Sequence, residues 1–202
     1  ILGGFYYRGP DWKLEHPSMR VSYLNGERVA LRPLVPEDKA VATAWHPSPY
    51  PIDAVRAETW LKENHKDIWP RRVYYALVRA SGAATAETTD DEVVGLVRIG
   101  WNVQQATARF TMAPWLEDAD SLRADAIGTV LPWLLEEREM LVVTFILASD
   151  EAESIAAAEA AGMAEMARLR EHVARPGGRA DLLYFQKLNR PWRFDDEEDI
   201  DA

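Results

Sequence analysis

The strongest constraint in this chain is a helical stripe that runs straight into an apolar block. Ile127, Val130, Leu131, Leu134 and Leu135 fall at i, i+3, i+4, i+7 and i+8, so a helix over 122–139 buries one continuous face. Leu141-Val142-Val143-Thr144-Phe145-Ile146-Leu147-Ala148 follows at once. Such a run, with no polar alternation, suits a strand covered on both faces. A strand is also expected over Thr107–Pro114, just before the helix. Strand, helix and strand in that order make a crossover, which normally runs parallel and right-handed. The chain is therefore expected to be α/β, not all-helical.

The flanking segments extend the pattern. Glu27–Arg32 alternates polar and apolar residues, the period of a half-buried strand, and Pro33 and Pro36 close it. Pro36-Glu37-Asp38 opens a helix carrying Ala40, Val41, Ala44 and Trp45. A second helix is expected over Ala54–His65. Strands are expected over Arg72–Arg79 and Glu92–Ile99, separated by a Gly/Ala/Thr/Asp-rich loop, with a turn at Asn102–Gln105. Asp150-Glu151-Ala152-Glu153 starts a short helix, Gly162 ends it, and Met163 packs back. Ala167–Val173 and Ala180–Leu188 form the last hairpin around Arg175-Pro176-Gly177-Gly178-Arg179.

With 202 residues and 48% apolar residues, one domain with a real core is expected. The domain is placed at 23–192, after an aromatic, Gly- and Pro-rich extension at 1–22 and before an acidic tail at 193–202. Six of the acids behind the net charge of −10 sit in the last eight residues, Asp195 to Ala202, and without those eight the chain is near −4. No basic stripe suggests nucleic acid. No apolar run reaches the ~18–20 residues of a membrane helix, and the first eight residues lack a signal-peptide pattern. The absence of cysteine excludes disulfides, thiolate metal sites and a cysteine nucleophile. A cytoplasmic protein without membrane or metal is the expectation. The N-terminal extension and the last strands are candidate surfaces for a homodimer.

The ordered segments carry a family resemblance over about Tyr23–Trp192. Leu24-Asn25-Gly26-Glu27-Arg28-Val29-Ala30-Leu31-Arg32-Pro33-Leu34, Val94-Gly95-Leu96-Val97-Arg98-Ile99, Trp133-Leu134-Leu135-Glu136-Glu137-Arg138 and Glu159-Ala160-Ala161-Gly162-Met163 resemble the GNAT N-acetyltransferases. The similarity is greatest to the branch that acetylates ribosomal-protein N-termini. The resemblance implies the GNAT fold: a mixed, mostly antiparallel, twisted sheet of about six or seven strands with helices on both faces. It implies transfer of an acetyl group from acetyl-CoA, with no metal, to a primary amine on a small molecule or peptide. The donor's pantetheine arm would lie along a splayed strand at Thr111, Met112 and Ala113. Its pyrophosphate would meet the helix start at Ser121, Arg123 and Ala124, where backbone N–H groups and the helix dipole favour an anion. Ser154 either touches the cofactor or stabilises a helix start. Trp101 and Trp115 would flank the acceptor cleft.

The family's phosphate loop carries glycines, yet no glycine lies between Gly100 and Gly128 here. Glu117, Asp118 and Asp120 stand in that loop instead. Carboxylates ~5–8 Å from a pyrophosphate would each cost roughly 2–3 kcal/mol, with Arg123 the nearby offset. The tyrosine that serves many members as general acid would fall near Ala158. No catalytic residue is assigned; Glu27, Glu92 and Glu137 are candidate bases, and a surface carboxylate is the plainer reading of each. His46 and His172 have no partners at metal-ligand spacing. The alternative to an acetyltransferase is a GNAT-fold binding or regulatory module that has lost CoA.

Overall fold

The structure, a computed structural model, describes residues 22–46, 52–64, 72–80 and 92–189. The N-terminal extension, the 81–91 loop and the acidic tail lie outside the described residues.

One eight-stranded sheet organises the chain: β1 (Leu24–Asn25), β2 (Val29–Pro33), β3 (Arg72–Arg79), β4 (Val93–Trp101), β5 (Gln105–Met112), β6 (Val142–Ala148), β7 (Ala164–Arg175) and β8 (Gly178–Leu188). The spatial order is β1-β2-β3-β4-β5-β6-β8-β7. Every neighbouring pair is antiparallel except β5 and β6. That parallel pair is the crossover expected from the helix between them. Two-residue β1 adds the eighth strand at the edge beside β2.

Helices cover both faces. Helices α3 (Ala119–Pro132) and α4 (Ala152–Ala160) pack on one face with Leu31, Val97, Ala108, Phe145 and Phe185. A 3-10 turn at Pro36–Val41, α1 (Ala42–Trp45) and α2 (Ala54–Asn64) cover the other face around Leu34, Trp45, Leu61 and Leu96. Alternation along each strand divides the two cores: Val97 and Ile99 face α3, whereas Leu96 faces α1 and α2. On the second face the helices stop at β4. Thr107, Arg109, Thr144 and Ile146, which point that way from β5 and β6, are exposed or half-buried.

Two local features adjust the expected boundaries. Helix α3 starts at Ala119, three residues before Leu122. It passes at Pro132 into a wider turn, Trp133–Glu137, closed by Arg138 N–H donating to the Trp133 carbonyl at 3.0 Å. Proline has no N–H and its ring crowds the carbonyl four residues back, which widens the helix there. Helix α4 ends as expected: Gly162 adopts φ +78°, and Met163 N–H reaches back to the Ala158 carbonyl at 3.0 Å.

A buried ion pair fixes the second face. Arg32 donates to both Asp38 oxygens at 2.8 and 2.9 Å, and both side chains are essentially sealed from water. Asp38 also accepts the Val35 N–H, and its carbonyl accepts the Trp45 indole N–H.

Candidate functional site

Strands β5 and β6 pair from Gln105↔Val142 to Arg109↔Ile146, and there the pairing ends. Each strand continues with its outer neighbour. β5 stays on β4 through Met112↔Gly95, and Ala113 N–H donates to the Val94 carbonyl at 2.8 Å. β6 stays on β8 through Ala148↔Leu182. The two strands are pulled apart, and the sheet opens as a V from Phe110 to Met112. Gly95 makes the outer path possible: a Cβ there would overlap the Thr111 carbonyl oxygen. β5 thus presents a backbone edge with no strand opposite, which an extended ligand can pair with.

A cavity of about 270 Å³ fills the opening. Phe110, Thr111 and Met112 form one wall, and Ile146, Leu147 and Ala148 the other. Arg123 of α3, Glu151 and Arg175 stand at the end near α3 and α4. Arg98 and Arg109 line it from the opposite face of the sheet. The cavity therefore passes through the sheet, with a helix N-terminus on one side and an open strand surface on the other.

The acids before and within α3 are occupied. Asp118 accepts from Arg28 Nη2 and from Arg79 Nη1, both at 2.9 Å. The Arg79 guanidinium holds its carboxyl below the usual carboxylate range. Asp120 caps the neighbouring helix: its carboxylate accepts Glu153 N–H at 2.7 Å, Ser154 N–H at 3.2 Å and the Ser154 hydroxyl. It also pairs with Arg123 at 3.1 Å. Asp125, further along α3, accepts the backbone N–H groups of Glu27, Arg28 and Val29. Only Glu117 is exposed and without a described ion pair. Of the three carboxylates expected to repel a pyrophosphate, Asp118 is paired with two arginines and Asp120 with Arg123 and two backbone N–H groups.

Of the residues expected to hold the donor, Thr111, Met112 and Arg123 line the cavity. Ala113 is buried and its N–H is spent on β4. Ser154 is fully buried in the first turn of α4 and bonded to Asp120. Ala124 sits half-buried on α3 and off the cavity wall. Ser121 lies in the first turn of α3 with a buried hydroxyl that lacks a partner, and Arg123 Nε is likewise unpartnered.

The two tryptophans do not flank the cavity. Trp101 ends β4 opposite Ala106, six positions from Gly95, or about 20 Å along the strand. It packs against Trp133 at 6.2 Å and under Arg138 at 5.4 Å. Trp115 is exposed beyond β5 and does not line the wall. The hairpin register carries Trp101 away, because the turn at 102–105 folds it beside the start of β5 instead of its end. Glu92 pairs with Arg79 at 2.7 Å, and Glu27 and Glu137 are exposed and off the cavity. Ala158 is buried in α4. His46 stacks near Trp45 and Trp60, where burial lowers its pKa. Among the described residues no group of His, Asp or Glu is arranged to hold a metal ion, and no helix is long and apolar enough to cross a membrane.

Four further charged residues line the wall. Glu151 accepts Ala148 N–H at 2.8 Å and lies 3.4 Å from Arg123 and 3.0 Å from Arg175. Arg175 also forks onto Asp150 at 2.7 and 3.0 Å, which holds the Asp150 carboxyl low. Arg98 and Arg109 complete the set. The residues fit an extended anionic thioester in two respects: an unpaired strand edge beside the cavity, and orphaned polar atoms of Ser121 and Arg123 at the start of α3.

No family model and no curated protein matches the chain. Solved structures do. A structure named "putative acetyltransferase from Sphaerobacter thermophilus DSM 20745" shares 44% identity, with TM-score 0.65 over 84% of this chain and 99% of that one. An acetyltransferase of the GNAT family from Bacillus anthracis matches at 11% identity and TM-score 0.56, covering 83% and 98%. A dodecameric spermidine N-acetyltransferase from Vibrio cholerae matches at 17% and 0.55, covering 84% and 99%. The last two likenesses concern the fold.

Proposed function

The chain belongs to the acetyltransferases and has the GNAT fold, and on that premise we propose that it transfers an acetyl group from acetyl-CoA to a primary amine. The observation that carries the reading is the opening between β5 and β6 beside the N-terminus of α3. Acetyl-CoA supplies an activated acyl thioester: the amine nitrogen bonds to the carbonyl carbon, the carbon–sulfur bond breaks, and the proton lost by the amine balances the one gained by the thiolate.

The protein's part is to bind and orient. The free edge of β5 at Thr111 and Met112 aligns the pantetheine amides. Ser121, Arg123 and the first N–H groups of α3 receive the phosphates. Glu151 is the only carboxylate on the described cavity wall. Two arginines and the Ala148 N–H occupy it, so it acts as a brace between α3, α4 and β7, not as a base. A cytoplasmic setting, where thiols stay reduced, suits a chain without cysteine.

Thermal unfolding with and without acetyl-CoA tests the reading. Ligand at 100 times its Kd adds about 2.7 kcal/mol, or roughly 5–10 °C for a domain of this size. Transfer is read with a thiol-reactive dye, which sees only released CoA because the protein has no thiol of its own. No melting shift at millimolar acetyl-CoA would sink the proposal.

A further inference from the structure

Within that acetyltransferase reading, we propose that Arg98 and Arg109 form a carboxylate clamp in the half of the cleft that faces away from α3. The two residues are direct cross-strand partners on β4 and β5. Alternation puts both on the face opposite Val97, Ile99, Ala108 and Phe110, which pack towards α3. Both line the cavity. Arg109 pairs with Ile146 at the last rung before the strands part, so the two guanidinium groups stand at the vertex of the V.

Their charge state sets them apart. Arg123 and Arg175, the other cationic wall residues, are each matched by carboxylates. The side chains of Arg98 and Arg109 make no ion pair or hydrogen bond with any described residue. The chain has 33 acidic and 23 basic residues, so acids are not scarce. Like charges directly opposite on neighbouring strands destabilise a sheet. A juxtaposition of this kind, at the vertex of a cavity, is what an anionic ligand would relieve. Two planar forks suit a carboxylate in bidentate geometry.

The neighbouring row gives the clamp its walls. Tyr74 is the β3 partner of Arg98, and Trp60 of α2 packs on it at 4.8 Å. On the other side the row continues through Ile146 to Tyr184. A small amine with a carboxylate a few bonds away fits between these apolar edges; a polycation such as spermidine does not suit two unmatched arginines. The carboxylate has two carriers to separate, the acceptor amine and a dicarboxylic acyl group on the thioester.

Matched pairs separate them. With acetyl-CoA fixed, amino acids are compared with their own carboxamides as acceptors. With a neutral amine fixed, succinyl-CoA is compared with acetyl-CoA. An acid-over-amide preference of about 100-fold in kcat/KM, cut at least tenfold in R98Q and R109Q and partly kept in R109K, assigns the clamp to the acceptor. A succinyl preference lost in the same variants assigns it to the donor. The acetyl-CoA melting shift stays unchanged in R98Q and R109Q, because the phosphates lie on the other side. Melting temperatures of these variants equal or exceed wild type, as the repulsion is gone. Where no amine turns over, calorimetry with N-acetylglutamate and its diamide reads the clamp without catalysis, and an absent acetyl-CoA shift marks failure of the acetyltransferase reading instead. Neutral or cationic ligands preferred in every arm, or preferences indifferent to both variants, overturn the clamp.

Discussion

Replacing Asp120 separates two accounts of the acidic segment before α3. If its carboxylate simply repelled a bound pyrophosphate, D120N would relieve roughly 2–3 kcal/mol and tighten acetyl-CoA about 30-fold or more. The structure gives the carboxylate another task. It accepts two backbone N–H groups at the start of α4, those of Glu153 and Ser154, together with the Ser154 hydroxyl and Arg123. Loss of a helix cap costs about 1 kcal/mol, and hydrogen bonds to a charged group about 1.5–3 each. These terms overlap, and the side chain is 28% exposed, so about 2–4 kcal/mol is expected for D120A and about half that for D120N, which keeps one acceptor oxygen. At 2–4 °C per kcal/mol, D120A melts roughly 5–15 °C below wild type. Urea titration gives the free energy, and the acetyl-CoA melting shift of the same variant gives the affinity. A D120N protein as stable as wild type that binds acetyl-CoA tens of times tighter would refute the capping account.

Three further outcomes follow from the same geometry. G95A places a methyl group against the Thr111 carbonyl, and overpacking of this kind costs about 1–3 kcal/mol; because the strain falls on the cavity wall, KM for acetyl-CoA is expected to rise about tenfold, and an unchanged KM would show that β5 does not border the donor. D38N removes the carboxylate that takes two Arg32 hydrogen bonds in a sealed pair, and breaking a buried pair is worth about 3–5 kcal/mol, measured by denaturant unfolding; a loss under 1 kcal/mol would contradict it. Asp118 and Asp150 have folded pKa values depressed by Arg79 and Arg175. Their stabilisation is therefore fully present above the unfolded carboxylate pKa near 4 and is lost as pH falls through the lower folded values. D150N is expected to flatten the acid limb of a stability–pH curve below about pH 4, and a limb identical to wild type would count against that ion pair.

The parts of this fold that were legible in the sequence are those set by period. The stripe from Ile127 to Leu135 and the block from Leu141 to Ala148 each require burial, and their order leaves one ordinary connection, the parallel crossover that joins β5 to β6. The Arg98–Arg109 pairing is legible too. A turn over 102–105 pairs Trp101 with Ala106 and, counting back, Arg98 with Arg109. The same count removes Trp101 from the cavity, since it puts the tryptophan at the closed end of the hairpin. Register was there to be used, whereas proximity in the chain suggested the wrong neighbour.

Charge was legible only in sign. Glu117, Asp118 and Asp120 look alike in sequence, but their fates depend on Arg28, Arg79 and the start of α4, which are 33 to 90 positions away along the chain. A carboxylate's effect on a distant anion is set by what has already neutralised it, and that partner is a property of the fold. A glycine-free, acidic helix entry is therefore weak grounds for denying a phosphate site. Glycine matters where backbone must approach closely, and here that approach is at Gly95, under the Thr111 carbonyl, one strand away from the loop where the family pattern keeps its glycines. The quantity that decides phosphate binding is the count of unmatched donors at the start of α3. Ser121 and Arg123 Nε supply two buried ones, and an anion seated there would satisfy atoms that the folded chain leaves unpaired.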